Sequence, residues 1–327
     1  MSIVETHNLT VVYKGGVKAL NGLDLKVGEG EIFCLVGPNG AGKTTTLRVL
    51  TTLLKPTGGW ARVAGYDVVK ESGKVRKMIG YVPQNLSADD ELTGMENMIL
   101  QCRLYGIGGR EAKERSLRLL ELVGLREAAN RLVASYSGGM RRRLEIAMGL
   151  VHTPKILFLD EPTLGLDVHS RVMIWEHIRK LNQEEKTTIL FTTHYMDEAD
   201  RISDRVAIID QGRIVAMGRP EDLKSSIGGD VIKLRVDGNI GSVLSGFSEI
   251  IRVDEINGEY RVKVRNGEEA LPIILRILEE RGVKVIHASL VKPTLDQVFV
   301  EYTGKEYREE EESVDVRIMT YVRERKR

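Results

Sequence analysis

The chain has 327 residues, 42% of them hydrophobic and 29% charged, and a formal net charge of +1. This length and composition predict a globular protein of two domains, and the near-neutral charge argues against a surface that coats nucleic acid. Cys34 and Cys102 are too few for a disulfide framework and lack metal-ligand spacing, which favours a reducing, cytoplasmic compartment.

Residues 1–225 alternate strand-like and helix-like segments, a pattern that predicts an α/β layered domain. Four short apolar runs in this region end in polar residues; they span residues 31–36, 79–82, 156–159 and 188–191. Ligand-binding residues gather at the carboxyl ends of strands in open α/β sheets. We therefore expect the polar residues that follow these four strands to share one site.

Helical signals replace the strand signals over about residues 91–150. Thr93 and Glu96 have capping-box spacing, and apolar residues between positions 112 and 123 recur at helical spacing before Gly124, a typical helix stop. This stretch predicts a helical insertion. Residues 205–217 then predict a β-hairpin that turns at residues 210–213.

Residues 226–303 predict a small α+β domain. Strands are expected at residues 231–236, 250–254, 260–264 and 283–290, with a helix at residues 270–280. A weaker helix near residues 242–247 completes a β-α-β-β-α-β order. Residues 304–327 form a charged tail, for which a solvated or disordered end is the plainer interpretation and a docking element the alternative.

A glycine-rich loop follows the first of the four strands and matches the P-loop pattern GxxxxGK, followed by Ser or Thr, at every position. Its residues are Gly37, Pro38, Asn39, Gly40, Ala41, Gly42, Lys43 and Thr44, with Thr45 next in the chain. Glycines let backbone N–H groups point inward at phosphate oxygens, and a helix that begins near Lys43 adds the positive end of its dipole. We expect Lys43 to reach the β- and γ-phosphates and the Thr44 hydroxyl to bind Mg²⁺.

Two acids follow the apolar run at residues 156–159. Asp160 is placed to hold Mg²⁺, directly or through water, and Glu161 to polarise an attacking water as a general base. Many strands end in Asp, so the pair is informative only beside a P-loop. Together the two motifs predict a P-loop NTPase.

The segment Tyr136-Ser137-Gly138-Gly139-Met140 narrows that broad class. A Ser-Gly-Gly sequence alone is a common turn, but here it precedes a helical run and lies ahead of the two acids. At this point the chain resembles the ABC ATPase family, whose signature is a Ser-Gly-Gly core before a helix. Met140 replaces the commoner Gln and Tyr136 the commoner Leu, and neither change touches the hydroxyl or N–H groups that would bind phosphate.

The resemblance implies roles for four further residues, each of which also has a plainer structural interpretation. Tyr13 matches the aromatic residue that stacks on adenine, or is a strand-edge tyrosine. Gln84 matches the Q-loop glutamine, which contacts Mg²⁺ or water and touches the transmembrane partner. Asp167 lies in the matching D-loop, which communicates across a dimer, and His194 matches the switch histidine at the γ-phosphate. The family's catalytic residues correspond to Glu161, His194, Lys43 and Gln84.

The resemblance also implies an architecture: an α/β P-loop NTPase fold, the ABC cassette, with a RecA-like core, an antiparallel β subdomain and a helical subdomain, followed here by the small C-terminal α+β domain. Two cassettes pair head to tail around two ATP molecules with Mg²⁺. Each ATP is held by the P-loop of one subunit and the Ser137-Gly138-Gly139 segment of the other. The expected partners are a second copy or a homologous cassette and a separate transmembrane permease, with no nucleic acid.

A finer resemblance is to cassettes of the daunorubicin-resistance exporter type, carried by residues 89–97, 104–106, 136–144 and 294–299. That group implies ATP hydrolysis coupled to drug export through a separate membrane subunit. The arginine run at 141–143 suits equally the solvated start of a helix and receives no catalytic role. No segment reaches the ~18–20 apolar residues of a membrane span, and residues 1–5 lack signal-peptide features. We expect a peripheral protein at the cytoplasmic face of the membrane, soluble when isolated.

Two other interpretations remain open on the sequence alone. Soluble ABC ATPases of translation or DNA repair usually carry two cassettes in one chain, a coiled coil or a zinc insertion, whereas this chain has one cassette, no extended heptads and no CxxC pair. A non-hydrolysing nucleotide-binding regulator is disfavoured because Asp160, Glu161 and His194 are intact.

Overall fold

The computed structural model describes residues 2–237, 240, 244, 247–256 and 258–304. The β-strands of these residues are β1 (Ser2–Val12), β2 (Lys18–Gly28), β3 (Ile32–Val36), β4 (Gly58–Val63), β5 (Tyr66–Asp67), β6 (Ile79–Val82), β7 (Ile156–Asp160), β8 (Thr188–Thr193), β9 (Arg205–Asp210), β10 (Arg213–Gly218), β11 (Asp230–Asp237), β12 (Ile250–Ile256), β13 (Glu259–Val264) and β14 (Lys284–Val291). The α-helices are α1 (Lys43–Leu50), α2 (Ser72–Met78), α3 (Gly94–Leu104), α4 (Gly109–Leu122), α5 (Gly138–Met148), α6 (Val168–Glu185), α7 (Met196–Ile202), α8 (Pro220–Ser226), α9 (Gly267–Glu280) and α10 (Leu295–Thr303). None of the described helices is both long and apolar enough to cross a membrane.

A six-stranded sheet in the order β10-β9-β3-β8-β7-β6 forms the centre of the first domain. Strands β9 to β6 run parallel, and β10 pairs antiparallel with β9 through the predicted hairpin. Strands β3, β7 and β8 are buried at every position, as expected for parallel strands covered on both faces. The four apolar runs identified in the sequence form β3, β6, β7 and β8, so the predicted α/β fold is confirmed.

Alternate residues of β3 supply two hydrophobic cores, because successive side chains of a strand point to opposite faces. Phe33 and Leu35 pack with residues of a second, antiparallel sheet in the order β2-β1-β4-β5. Cys34 and Val36 pack on the other face with residues of α3, α4, α5 and α6. The central sheet is thus a layer between an antiparallel β subdomain and a helical layer.

The insertion at residues 91–150 is helical, as predicted, and consists mainly of α3, α4 and α5. Thr93 and Glu96 form the capping box: Thr93 Oγ1 accepts from the Glu96 N–H at 3.2 Å, and Glu96 Oε2 accepts from the Thr93 N–H at 2.8 Å. Helix α4 stops just before Gly124, whose φ of 65° is the left-handed conformation typical of a helix end.

The C-terminal unit contains an antiparallel sheet in the order β12-β13-β11-β14, with α9 packed on β11 and β14. This strand order is that of a β-α-β-β-α-β unit. All four predicted strands and the helix at residues 270–280 are present. The weaker helix expected near residues 242–247 lies mostly outside the described residues, and so does the tail beyond residue 304.

Helix α10 packs on α7, α8 and β10 of the first domain. Leu295, Val298 and Phe299 are buried in the same hydrophobic core as Ala199 and Leu223. The chain therefore leaves the first domain after α8 and returns to it through α10. The domain division near residue 225 remains a prediction.

Candidate active site

Four neighbouring parallel strands end at one edge of the central sheet. Strand β3 pairs with β8, β8 with β7 and β7 with β6, each in parallel register. The residues at or just after these strand ends are the P-loop, His194, Asp160 with Glu161, and Gln84. The edge therefore collects the residues that the sequence pattern expected to share one site.

Close packing explains two glycines of the P-loop, and open space surrounds a third. A Cβ on Gly37 would lie 2.2 Å from the carbonyl oxygen of Ile209. Gly42 has a φ of 111°, and a Cβ there would lie 2.7 Å from a carbonyl oxygen of β2. Gly40 has a φ of 79°, and a Cβ there would meet no atom within 4 Å, which leaves room for a ligand. In the loop, Gly37, Ala41, Gly42 and Lys43 are buried, Pro38, Thr44 and Thr45 half-buried, and Asn39 and Gly40 exposed.

Lys43, Glu161 and His194 form a buried charged cluster. The Lys43 ammonium donates to the carbonyl oxygens of Gly37 at 2.7 Å and Pro38 at 3.2 Å, and its Nζ lies 3.1 Å from Glu161 Oε1. On the opposite side, His194 Nδ1 lies 2.5 Å from Glu161 Oε2. The Glu161 carboxylate therefore has a partner on each oxygen.

Two opposing effects act on the pKa of Glu161: burial of the carboxylate and its contacts with Lys43 and His194. Burial raises the pKa, but the hydrogen bond with His194 and the positive charge of Lys43 together outweigh it, so the pKa lies below its ordinary value. Glu161 also has a φ of 48°, an unusual left-handed conformation for a residue other than glycine. Strained backbone of this kind concentrates at functional sites.

Asp160 lies between two threonine hydroxyls. Thr44 donates to Asp160 Oδ1 at 3.1 Å and Thr192 at 2.7 Å, while Thr192 Oγ1 accepts from the Glu161 N–H at 3.0 Å. Burial raises the pKa of Asp160, and the two hydroxyl hydrogen bonds oppose that change only in part. A carboxylate beside a hydroxyl is a set of oxygen ligands that Mg²⁺ prefers.

Tyr13 and Gln84 are placed at the margins of the site. The Tyr13 hydroxyl lies 3.2 Å from Thr45 Oγ1, so the ring stands beside the start of α1. The Gln84 side chain is exposed, and within the described residues it makes no hydrogen bond, although its backbone carbonyl accepts from Arg142 at 2.7 Å.

The Ser-Gly-Gly segment and Asp167 form a separate exposed edge. Ser137 caps α5, where its Oγ accepts from the N–H three residues on at 3.3 Å. Asp167 caps α6 and accepts from the backbone N–H and hydroxyl of Ser170 at 2.9 and 2.6 Å. A Cβ on Gly139 would lie 2.7 Å from Ser170 Oγ, so only glycine allows α5 and α6 to meet so closely. Ser137 and Gly138 are exposed and therefore open to a second molecule.

The sequence motifs did not identify three residues that hold groups of the site in place: Thr192, Arg142 and Glu145. Thr192 lies two residues before His194, on the strand β8 beside the two acids, a position that could have suggested its role. Arg142 is 4% exposed and Glu145 3% exposed, so the solvated interpretation of the arginine run does not hold for Arg142. Both side chains hold the loop that carries Gln84, which no local pattern signals.

Comparison with known protein families matches both parts of the chain. Residues 20–164 match the model of the ABC transporter family, and residues 218–303 match that of the C-terminal domain of DrrA1-3-like ATP-binding proteins. The daunorubicin resistance ATP-binding protein DrrA3 of Streptomyces coeruleorubidus is 43% identical over 300 residues, covering 91% of this chain and 95% of that protein. The daunorubicin/doxorubicin resistance ATP-binding protein DrrA of Streptomyces peucetius is 42% identical over 313 residues, covering 92% of each chain.

The fold comparison gives the same answer. A dimeric ATP-binding cassette solved in a post-hydrolysis state with ADP and Pi is 30% identical, has a TM-score of 0.60, and covers 66% of this chain and 98% of that chain. Similarity to transporter ATP-binding proteins along nearly the whole chain favours the transporter interpretation over a soluble ABC ATPase of translation or DNA repair. The chain therefore belongs to the ABC transporter ATP-binding proteins, ATPases whose hydrolysis is coupled to transport, in the group of the daunorubicin-resistance ATP-binding proteins.

Proposed function

We propose that this chain is the ATP-hydrolysing subunit of a drug-resistance type exporter, in which ATP-driven closure of a cassette dimer acts on a separate transmembrane subunit. One observation carries the proposal: the Glu161 carboxylate is buried between the Lys43 ammonium at 3.1 Å and the His194 imidazole at 2.5 Å. This cluster lies beside the P-loop and Asp160. A base held so close to a phosphate-binding lysine supports hydrolysis and not binding alone.

The residues present fit a Mg²⁺ ion bound with the nucleotide. Thr44 Oγ1 and Asp160 Oδ1 are hard oxygen ligands that meet at 3.1 Å, and Gln84 follows the strand next to Asp160. When bound, the ion supplies positive charge that neutralises the β- and γ-phosphates. Thr192 orients both acids, because it donates to Asp160 and accepts from the Glu161 N–H.

The contacts of Glu161 suggest how substrate controls the base. Its two oxygens are engaged by Lys43 and His194. A γ-phosphate is a strong acceptor for both donors, so we infer that bound ATP draws them toward itself and leaves the carboxylate free to take a proton from water. Before ATP binds, these two partners lower the pKa of Glu161, so the carboxylate is already ionised at neutral pH, the form from which a general base acts.

The exposed edge formed by Ser137, Gly138 and Asp167 suits the second half of a composite site. Ser137 begins α5, so its hydroxyl and the following N–H groups lie at a helix N-terminus, where phosphate binds well. We propose that this edge contacts the ATP held by the P-loop of a second subunit. ATP is then part of the dimer interface, and hydrolysis opens it.

Exposed apolar side chains in the Gln84 loop and on α3 suit contact with the transmembrane partner. Asn97 of α3 accepts from the Asp89 N–H at 2.9 Å and donates to the Asp89 carbonyl at 3.0 Å, so α3 lies against the end of this loop. Leu100 and Leu104 follow Asn97 on one face of α3 and are 47% and 73% exposed, and Leu86 in the loop is 49% exposed. Large apolar side chains left exposed in this way suit a protein contact.

The relatives named for daunorubicin and doxorubicin resistance indicate the kind of cargo. We propose that the transmembrane partner exports a toxic, drug-like compound and that this chain works as a peripheral subunit on the cytoplasmic face of the membrane. No contact with nucleic acid is part of this function. The choice of compound belongs to the transmembrane subunit.

Glu161→Gln tests the hydrolytic role directly. We expect the variant to bind ATP but to hydrolyse it about 10²–10⁴-fold more slowly, because the amide cannot accept a proton from water. It should also accumulate as an ATP-bound dimer in size-exclusion chromatography. The exposed Glu29→Gln serves as a matched control and should behave like the wild type. Hydrolysis by Glu161→Gln at the wild-type rate would show that another group is the base.

The membrane partner is tested by recovering the tagged chain from gently solubilised native membranes and identifying the bound proteins by mass spectrometry. A stoichiometric protein with several membrane spans supports the exporter. Recovery with ribosomes, with nucleic acid or alone would contradict it.

A further inference from the structure

Two buried side chains of α5 hold the loop that carries Gln84. The Arg142 guanidinium donates to the carbonyl oxygens of Pro83 and Gln84, each at 2.7 Å, and to Glu145 Oε2 at 3.1 Å. The other oxygen of Glu145 accepts from both the backbone N–H and the hydroxyl of Ser87, the latter at 3.1 Å. Side chains of one helix therefore hydrogen-bond to both ends of the loop at residues 83–87.

The chemistry of this contact depends on the shape of arginine. A planar guanidinium presents several N–H donors in fixed directions, so it can serve two successive carbonyls and a carboxylate at once. A lysine ammonium at the same place keeps the charge but not this geometry. Burial lowers the pKa of Arg142 and raises that of Glu145, so each charge is costly in the interior unless the other is present.

The same helix begins at the signature segment. Ser137 is the N-cap of α5, and Gly138 and Gly139 are its first residues. Arg142 lies a little over one turn farther on, about 7 Å along the axis. A helical segment of this length is stiff. The position of the Gln84 backbone relative to Ser137 is therefore set by helix α5 and by the hydrogen bond from Arg142 to the Gln84 carbonyl.

We propose that Arg142 and Glu145 are positioning residues that make the Gln84 loop and the Ser137–Gly139 segment move as one body. The inference rests on the proposed function, in which Gln84 contacts the nucleotide bound by its own subunit and Ser137 contacts the nucleotide bound by the partner subunit. A displacement of Gln84 when its own site fills is then passed to the site across the interface. The pair thereby couples the two nucleotide sites of the dimer.

A purely structural brace makes a different prediction from a positioning pair. Removing one partner of a buried ion pair leaves an uncompensated charge and destabilises the protein, whereas replacing both by apolar residues of similar volume usually restores stability. If the pair is only a structural brace, the double apolar variant should regain ATPase activity along with stability. If the pair positions the loop, the double variant should regain stability but not ATPase activity, because apolar side chains cannot hydrogen-bond to the carbonyls of Pro83 and Gln84.

The test compares Arg142→Lys and the double variant Arg142→Met with Glu145→Leu in the full-length chain. The measurements are kcat and KM for ATP hydrolysis, equilibrium binding of a fluorescent ATP analogue, and the thermal unfolding midpoint. We expect Arg142→Lys to lower kcat on the order of tenfold, since small misplacements of catalytic groups are costly, with KM and ATP binding within about twofold of the wild type. The double variant should recover the wild-type unfolding midpoint while kcat stays low.

Arg118→Lys is the matched control, because Arg118 is an exposed helical arginine that pairs with Glu185 at 2.8 Å and lies far in the chain from the loop. It should match the wild type in every measurement. A double variant that regains both stability and kcat, or an Arg142→Lys variant with wild-type kcat, overturns the positioning role. Glu161→Gln assayed in parallel distinguishes the two proposals. ATP hydrolysis that does not depend on Glu161 would contradict the proposed function. ATP hydrolysis that depends on Glu161 but not on Arg142 would contradict only the coupling role of Arg142 and Glu145.

Discussion

Asp160 and Glu161 are adjacent in the chain, yet their surroundings move their pKa values in opposite directions. Burial raises the pKa of Asp160, and hydrogen bonds from two threonine hydroxyls oppose it only in part. Burial acts in the same direction on Glu161, but the hydrogen bond with His194 and the charge of Lys43 outweigh it. The Lys43 charge lowers the pKa of both acids, but it is the weakest of the contributions at Asp160, whereas at Glu161 it adds to the hydrogen bond with His194. This difference suits a metal ligand beside a general base.

The raised pKa of Asp160 predicts that its charge destabilises the protein in the absence of a cation. An acid whose folded pKa exceeds its unfolded value favours folding when protonated, and that contribution is lost as pH rises through the folded pKa. We therefore expect Asp160→Asn to raise the free energy of unfolding in nucleotide-free buffer at about pH 8, on the order of 1 kcal/mol. Thermal unfolding from about pH 4 to pH 8 checks this, with the exposed Asp237→Asn as control.

The gain in stability should shrink as pH falls through the raised folded pKa and be smallest below the ordinary Asp pKa of 3.8, where the wild-type carboxyl is protonated in both states. At the same time, added Mg²⁺ and ATP should stabilise the variant less than the wild type, since a ligand stabilises only the state that binds it. A variant that is less stable than the wild type at about pH 8 would contradict the assigned direction of the pKa shift.

Among the elements, α10 packs through its apolar face on the core formed by the first part of the chain. Leu295, Val298 and Phe299 have spacings of three and four residues and are buried against the first domain. Thr294 closes a capping box with Gln297, which fixes where the helix begins. The helix is thus part of the same core as α7 and α8, although nearly 70 residues that include a separate sheet lie between α8 and α10 in the chain.

Phe299→Ala is expected to lower the free energy of unfolding by about 3–5 kcal/mol, because it removes a large side chain that is 2% exposed and leaves a cavity between α10 and the first domain. Urea unfolding of the full-length chain measures this. Tyr302→Ala is the control on the same helix, since Tyr302 is 48% exposed and should change stability little. Equal effects of the two substitutions would mean that the buried face of α10 does not stabilise the core on which it packs.

At the scale of the whole molecule, the residues proposed to contact nucleotide fall into two groups. The P-loop and the acids lie at the edge of the central sheet, whereas Ser137 and Asp167 lie at exposed helix starts. This division is expected for a protein that completes its site with a second copy. It also makes the arrangement testable by complementation between two defective chains.

We expect chains carrying Lys43→Ala and chains carrying Ser137→Arg to be inactive alone but partly active when mixed. In the mixed dimer, one site combines the intact P-loop of the Ser137→Arg chain with the intact signature segment of the Lys43→Ala chain. ATPase assays and ATP-dependent association of differently tagged chains provide the readout. Two copies of one variant, assayed separately at the same total concentration, are the controls. A mixture as inactive as its components would argue against head-to-tail composite sites.

Much of the fold and the candidate site could be predicted from the sequence, because these features depend on residues that are neighbours in the chain. The P-loop needs glycines at fixed spacings within eight residues, and Asp160 and Glu161 need only an apolar run before them. Parallel strands then bring their carboxyl ends together at one edge, so local patterns were enough to expect a shared site. The capping box at Thr93 and the hairpin at residues 205–217 are local in the same sense.

Tertiary structure alone decided what surrounds those residues. In the sequence, Arg142 looks like one of three surface arginines, but it is buried because a loop 58 or 59 residues away in the chain packs on it and supplies carbonyl acceptors. Thr192 joins the two acids only because β8 lies beside β7, and α10 belongs to the first core only because the chain returns there. The physical reason is the same in each case: burial and electrostatic environment are set by segments distant in the chain, and side-chain spacing does not indicate which segments will meet.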